Sequence, residues 1–177
     1  MKRRIFLAIP VPPAVKKRLG PSVSDLKNKL SDWRINWVAP KNLHITLVFF
    51  GWVKAEQVKT IRAESSAAIS GSLPFEVATG ELSLEGRPLW LEIEQGQDEI
   101  KSLAENLSNK LTQKGSLEEE RGFHSHLTLG RVKKKGKSKL PKAKAKFSWK
   151  VSRLVLYESR FVRKQRIYEE VFSFPLK

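Results

Sequence analysis

A four-residue pattern, histidine–apolar–threonine–leucine, occurs twice in this chain: as His44-Ile45-Thr46-Leu47 and, 82 residues later, as His126-Leu127-Thr128-Leu129. Only three histidines are present, so two of the three open the same pattern. Both copies alternate apolar and polar residues of high β-propensity, the signature of a half-buried strand. On a strand, residues i and i+2 share a face and stand roughly 6.8 Å apart. His44 and Thr46 therefore point one way and Ile45 and Leu47 the other. The same holds for His126 and Thr128 against Leu127 and Leu129. Any fold for this chain has to seat two such strands with their apolar faces in a core and their imidazole–hydroxyl faces accessible. Where the strands meet across a groove, the four polar side chains make one site.

The flanking sequence predicts the elements that would hold those strands. Arg4 to Pro10 reads as a strand, not a signal peptide, because the apolar run is short and ends in prolines. Pro12-Pro13 start a helix with Val15, Leu19, Val23, Leu26 and Leu30 on one side, interrupted or kinked at Gly20-Pro21. Trp33, Ile35 and Trp37 alternate as a short strand, and the first motif strand runs from Leu43 to Phe50, ended by Gly51. A helix follows from Ala55 to Ile69, then strands Pro74 to Leu84 and Pro88 to Ile93 around a Glu85-Gly86-Arg87 turn. Asp98 caps a helix carrying Ile100, Leu103, Leu107 and Leu111 on one face and stopping near Gly115. The second motif strand spans Phe123 to Val132, and two long strands close the chain, Phe147 to Tyr157 and Arg166 to Phe174. Strands outnumber helices without regular alternation, which gives an α+β fold with mostly antiparallel sheets. The motif spacing suggests two related halves, although little beyond the tetrapeptides is shared.

Composition narrows the chemistry. The chain has no cysteine, which excludes disulfides, thiolate metal sites and a cysteine nucleophile, and fits a reducing cytoplasm. No apolar stretch nears the roughly 20 residues that span a membrane. The formal net charge of +16 favours polyanionic partners, nucleic acid first. Half of that excess lies between Lys133 and Lys146, where eight lysines occur with no acid. This stretch reads either as a solvated, mobile hairpin loop or as a track for an RNA backbone.

Two histidines and two threonines suit attack on a phosphodiester. One neutral imidazole takes a proton, the other, protonated, gives one to the departing alkoxide, and the hydroxyls of Thr46 and Thr128 donate to the non-bridging oxygens. This chemistry requires no metal or other cofactor. A second reading makes His44, His124 and His126 a three-histidine zinc site with an open position, but leaves the threonines unused and supplies no evident carboxylate to orient the imidazoles. A third, a non-catalytic RNA-binding module, uses the charge and the aromatics Trp33, Trp37, Trp52 and Trp149, but not the paired motifs.

The resemblance to a known family extends over almost the whole chain. Arg4-Ile5-Phe6-Leu7-Ala8-Ile9, the stretch Trp37 to Gly51, Phe123 to Arg131, and Leu156-Tyr157-Glu158-Ser159-Arg160 with Tyr168-Glu169 resemble, in turn, the signatures of the 2H phosphoesterases. The likeness is closest to the RNA 2′,3′-cyclic phosphodiesterases, also called 2′-5′ RNA ligases. Ser125 departs from the proline common at that position, which alters strand entry rather than chemistry. The resemblance implies one bilobal domain over residues 1–177, with two antiparallel sheets facing across a central groove, helices outside, and one H-x-T-L motif from each lobe. It implies a monomeric, cytoplasmic enzyme acting on RNA ends that carry a 2′,3′-cyclic phosphate, tRNA fragments among them. Hydrolysis would leave a 2′-phosphate, and ends would also be joined through a 2′-5′ bond without ATP. By the same resemblance His44 protonates the departing 3′ oxygen and His126 activates water. Arg131 becomes a phosphate or nucleotide contact and Phe49 a base-stacking surface. Arg131 lies five residues after His126, so a regular strand would turn it to the opposite face. To reach the phosphate it needs a bulge or bend near Gly130.

Overall fold

A computed structural model of the chain describes residues 2–113, 123–163 and 165–177. In chain order the elements are β1 (Lys2–Pro10), α1 (Pro13–Lys29), β2 (Arg34–Trp37), a 3-10 turn at Pro40–Asn42, β3 (His44–Lys54) and α2 (Ala55–Ala68). There follow β4 (Phe75–Leu84), β5 (Pro88–Gln95), α3 (Gln97–Gln113), β6 (His126–Lys134), β7 (Ser148–Val151), β8 (Arg153–Val162) and β9 (Gln165–Pro175). The strands form a four-stranded sheet in the order β3-β1-β8-β9 and a five-stranded sheet in the order β2-β6-β5-β4-β7. Each pairing within them is antiparallel. The α+β class read from the sequence is therefore present, with one motif strand in each sheet.

The sheets are not the two halves of the chain. The first joins β1 and β3 to the C-terminal β8 and β9, and the second borrows β2 from the N-terminal part. That exchange brings β3 and β6 against each other although they are not hydrogen-bonded neighbours. Behind them lies the core. Ile100, Leu103, Leu107 and Leu111 of α3 are all buried, as their i, i+3, i+4 spacing requires, and α3 packs on α2 and β3. On the other side Leu19 and Leu26 of α1 cover Leu82, Leu91 and Leu129 around a cavity of about 350 Å³. Each such buried side chain contributes about 1.5–3 kcal/mol of apolar transfer free energy. Among the described residues no helix is long and apolar enough to cross a membrane.

Several boundaries differ from the sequence reading. Helix α1 continues through Pro21. The carbonyl left without a donor is that of Lys17, and both residues are on the solvent side, where water can take its place. Gly51 does not end β3. It sits at φ 70° beside a bulge that leaves Phe50 unpaired, and the strand resumes to Lys54. Helix α3 starts one residue before Asp98, which stands in the first turn, where its charge suits the helix dipole. The stop near Gly115 lies outside the described residues.

The long run from Phe147 is two strands that change sheet at Ser152. The apolar parity slips there, from Trp149 and Val151 to Leu154 and Leu156. The lysine-rich stretch is no free hairpin. Leu82 N–H donates to Ala143 O (2.8 Å), Ala145 N–H to Gly80 O (3.1 Å) and Thr79 N–H to Phe147 O (2.9 Å), so the stretch prolongs β7 along β4. Ala143, Ala145 and Phe147 pack inward, and Lys142, Lys144 and Lys146 alternate outward.

Candidate active site

Both motif strands contain the same irregularity. In β3 the register passes from Ala8↔Thr46 to Leu7↔Val48, leaving Leu47 unpaired. In β6 it passes from Trp90↔Thr128 to Leu89↔Gly130, leaving Leu129 unpaired. A one-residue bulge flips the parity of everything beyond it. Leu47 and Val48 are both buried, and so are Leu129 and Gly130; Phe49 and Arg131 then emerge on the histidine faces. The bend needed to turn Arg131 towards His126 is therefore there, and Phe49, also five residues beyond its histidine, is turned by the same device. The Phe49 ring lies 6.4 Å from that of Phe6, which is 4.9 Å from His44.

His44 is fixed at both nitrogens. Nδ1–H donates to the carbonyl of Asn42 (2.6 Å), which leaves Nε2 as acceptor for the Thr46 hydroxyl (3.0 Å). Asn42 is itself buried, and its amide donates to Arg166 O (2.8 Å), tying the turn before β3 to β9. Around the imidazole stand Phe6, Tyr168 at 5.2 Å edge-on, and Tyr157 at 6.4 Å. Burial among these rings pushes the His44 pKa down to about 4. The positive charges of Lys16 and His126 act in the same direction, and the bond to Asn42 opposes them. That His126 contributes at all places the two imidazoles in one electrostatic neighbourhood.

His126 is held by Nδ1–H donating to His124 O (2.9 Å), with Trp90 5.0 Å away and the His124 ring stacked at 6.0 Å. Glu92 lies opposite His126 on β5, where it accepts from Trp90 Nε1 (2.6 Å) and His124 Nε2 (2.7 Å). Burial lowers the His126 pKa as well; the bond to the His124 carbonyl and the Glu92 charge oppose it, and the charges of the His124 ring and Arg131 add to it. Thr128 shares the face of His126 and lies opposite Trp90.

The three-histidine zinc set does not assemble. His124 is turned to Glu92, and among the described residues no three histidine, aspartate or glutamate side chains converge on a common point. The carboxylate that the sequence did not reveal is Glu92, and it orients His124, not either motif histidine. Of the aromatics assigned to an RNA-binding module, Trp149 is core (6% exposed), Trp33 donates to Ser138 O, and Trp52 alone is widely exposed. Sequence reasoning also passed over Asn42, Trp90, Phe6 and the tyrosines as site residues. Tyr157 and Tyr168 are the only two tyrosines in the chain, and both stand at His44, a signal that was available.

Residues 12–161 match the 2′-5′ RNA ligase superfamily. The chain is 31% identical to an RNA 2′,3′-cyclic phosphodiesterase of Archaeoglobus fulgidus, over 75% of this chain and 74% of that protein. To its counterpart in Bacillus subtilis the identity is 27%, over 97% and 95%. The fold is similar to that of Escherichia coli LigT in complex with 3′-AMP, with a TM-score of 0.86 and 25% identity over 99% of both chains.

Proposed function

The chain belongs to the 2′-5′ RNA ligase superfamily, and on that premise we propose that it is an RNA 2′,3′-cyclic phosphodiesterase. The observation that carries the reading is the double motif: two bulged strands from different sheets that present His44, Thr46 and Phe49 beside His126, Thr128 and Arg131. The substrate is an RNA end closed as a 2′,3′-cyclic phosphate. His126 Nε2 takes a proton from water, whose oxygen attacks phosphorus. The P–O3′ bond breaks, O3′ receives the proton of His44, and a 2′-phosphate remains. Thr46 and Thr128 donate to the non-bridging oxygens as charge builds there. Run in the same direction with a 5′-hydroxyl in place of water, the same steps join two ends through a 2′-5′ bond without ATP.

The free site sets a condition on this order of roles. His44 is neutral at pH 7 and surrenders its proton more readily than an ordinary histidine, yet the acid must be charged. The anionic phosphate supplies the compensation, because a negative charge beside His44 raises its pKa on binding. Binding also breaks the Thr46–His44 hydrogen bond and redirects both groups to phosphate. Arg131 neutralises the bound anion from the β6 side, and Phe49 offers a ring to the terminal base.

The test is incubation with a short RNA ending in a 2′,3′-cyclic phosphate, followed by identification of the product end. A 2′-phosphate formed at an undiminished rate in excess chelator supports the reading. A 3′-phosphate product, or no reaction, refutes it. An aryl phosphodiester, whose leaving group needs no proton, then separates the roles: His44→Ala retains activity towards it and His126→Ala does not.

A further inference from the structure

The accessible face of the four-stranded sheet does not end at His44. Counting outward along the register, Trp52 of β3 lies beside Arg4 of β1, and Tyr168 of β9 pairs with Ser159 of β8. Two pairs further, on the same face, Phe161 lies opposite Arg166. Arg4 shares the face of Phe6 two residues on, and Phe161 shares that of Tyr157 and Ser159, since β1 and β8 themselves are not bulged here. The strip is therefore continuous with the site.

Its composition is unusual for a surface. Trp52 is 66% and Phe161 70% exposed, yet they flank two guanidinium groups. Among the described residues neither Arg4 nor Arg166 is in an ion pair; the other arginines of these strands, Arg3, Arg153 and Arg160, are matched to Glu158, Glu170 and Glu169. Arg166 is positioned by its bond to the Ser159 hydroxyl (3.1 Å), and Arg4 lies 4.9 Å from the Phe49 ring. Both, with Arg131 from the opposite sheet, direct positive charge at Tyr168. A face of unpaired cations interleaved with exposed rings is the arrangement that holds single-stranded nucleic acid, by phosphate neutralisation and base stacking.

We propose that this strip is a second nucleotide subsite: the phosphate joining the terminal nucleotide to the one before it sits between Arg4 and Arg166, and the preceding base stacks on Phe161 or Trp52. The inference rests on the cyclic phosphodiesterase reading and deepens it, since it makes an oligonucleotide end, not a free cyclic nucleotide, the preferred substrate.

The experiment compares kcat/KM on a mononucleoside 2′,3′-cyclic phosphate and on a dinucleotide with the same terminus. The protein is the parent, the double variant Trp52→Ala with Phe161→Ala, and the double variant Arg4→Gln with Arg166→Gln. The parent prefers the dinucleotide, and the aromatic variant lowers that preference about tenfold or more, through KM. The arginine variant lowers it too and flattens the salt dependence of dinucleotide binding. Equal losses on both substrates, or an unchanged preference, overturn the subsite; thermal unfolding of each variant excludes a folding defect. Binding of a mononucleotide and of a dinucleotide, each ending in a 3′-phosphate, is titrated in parallel. A parent that hydrolyses neither substrate refutes the phosphodiesterase reading. In that case a gain in affinity from the second nucleotide that the aromatic variant abolishes still supports the subsite, and equal affinities overturn it.

Discussion

Strands β3 and β6 carry the same histidine–apolar–threonine–leucine pattern and the same bulge after the threonine, yet their histidines live in different company. His44 is enclosed by Phe6, Tyr157 and Tyr168, and among the described residues its hydrogen-bonding partners are a backbone carbonyl and a hydroxyl, with no carboxylate in touch. His126 rests on Trp90 and on a second imidazole, His124, that is anchored to Glu92. The motif thus repeats placement, and the surroundings assign proton affinity. Aromatic walls withhold water from His44 and favour its neutral form; at His126 the bond to the His124 carbonyl and, after it, the Glu92 carboxylate partly restore the charged form.

The largest effect comes from removing either histidine. His44→Ala and His126→Ala each lower kcat by on the order of 10²–10⁴-fold if the pair divides acid and base work. Steady-state kinetics on folded variants decides it, and full activity in either one means that only a single strand is catalytic. The threonines come next. Thr46→Val and Thr128→Val keep the branched shape and lose the hydroxyl, at an expected ~2–4 kcal/mol of transition-state stabilisation each. Thr46 already serves His44 in the free site, so a larger loss there than at Thr128 would show that it also orients the imidazole.

Acid stability separates the two strands without any substrate. A histidine whose folded pKa lies near 4, against about 6.5 when unfolded, stabilises the fold fully above pH 6.5, and that contribution is lost as pH falls towards 4. Urea unfolding at pH 7 and pH 4.5 reads it: His44→Gln removes on the order of 2–3 kcal/mol of the acid-induced destabilisation, and His126→Gln removes less. The smallest effect belongs to the lysine edge, which β5 and β4 separate from β6. Changing Lys142 and Lys146 to glutamine weakens binding of a long RNA a few-fold and lowers its salt slope by up to about two. Turnover of a mononucleoside cyclic phosphate stays the same, because so small a substrate does not reach that edge; a matched loss would bring the edge into the site.

The two motifs, the strand and helix types and the α+β class follow from local periodicity. Two bulges were within reach as well: Leu47-Val48 and Leu129-Gly130 are each a pair of consecutive core residues in an otherwise alternating strand, and Ser152 marks a similar slip in parity. Glu92 was out of reach because it meets His124 only through the pairing of β5 with β6, a contact across 32 residues, and Asn42 reaches Arg166 across 124. The lysine stretch stays open in the sequence between a mobile hairpin loop and an RNA track because charge reports only solvation of side chains, whereas its backbone hydrogen bonds to β4 depend on a distant partner strand. Two imidazole–hydroxyl faces follow from local sequence, since side-chain alternation is a property of the strand alone. That β3 and β6 come together and that the two imidazoles differ rests on the tertiary structure, because strand pairing and desolvation depend on which distant segments arrive beside them.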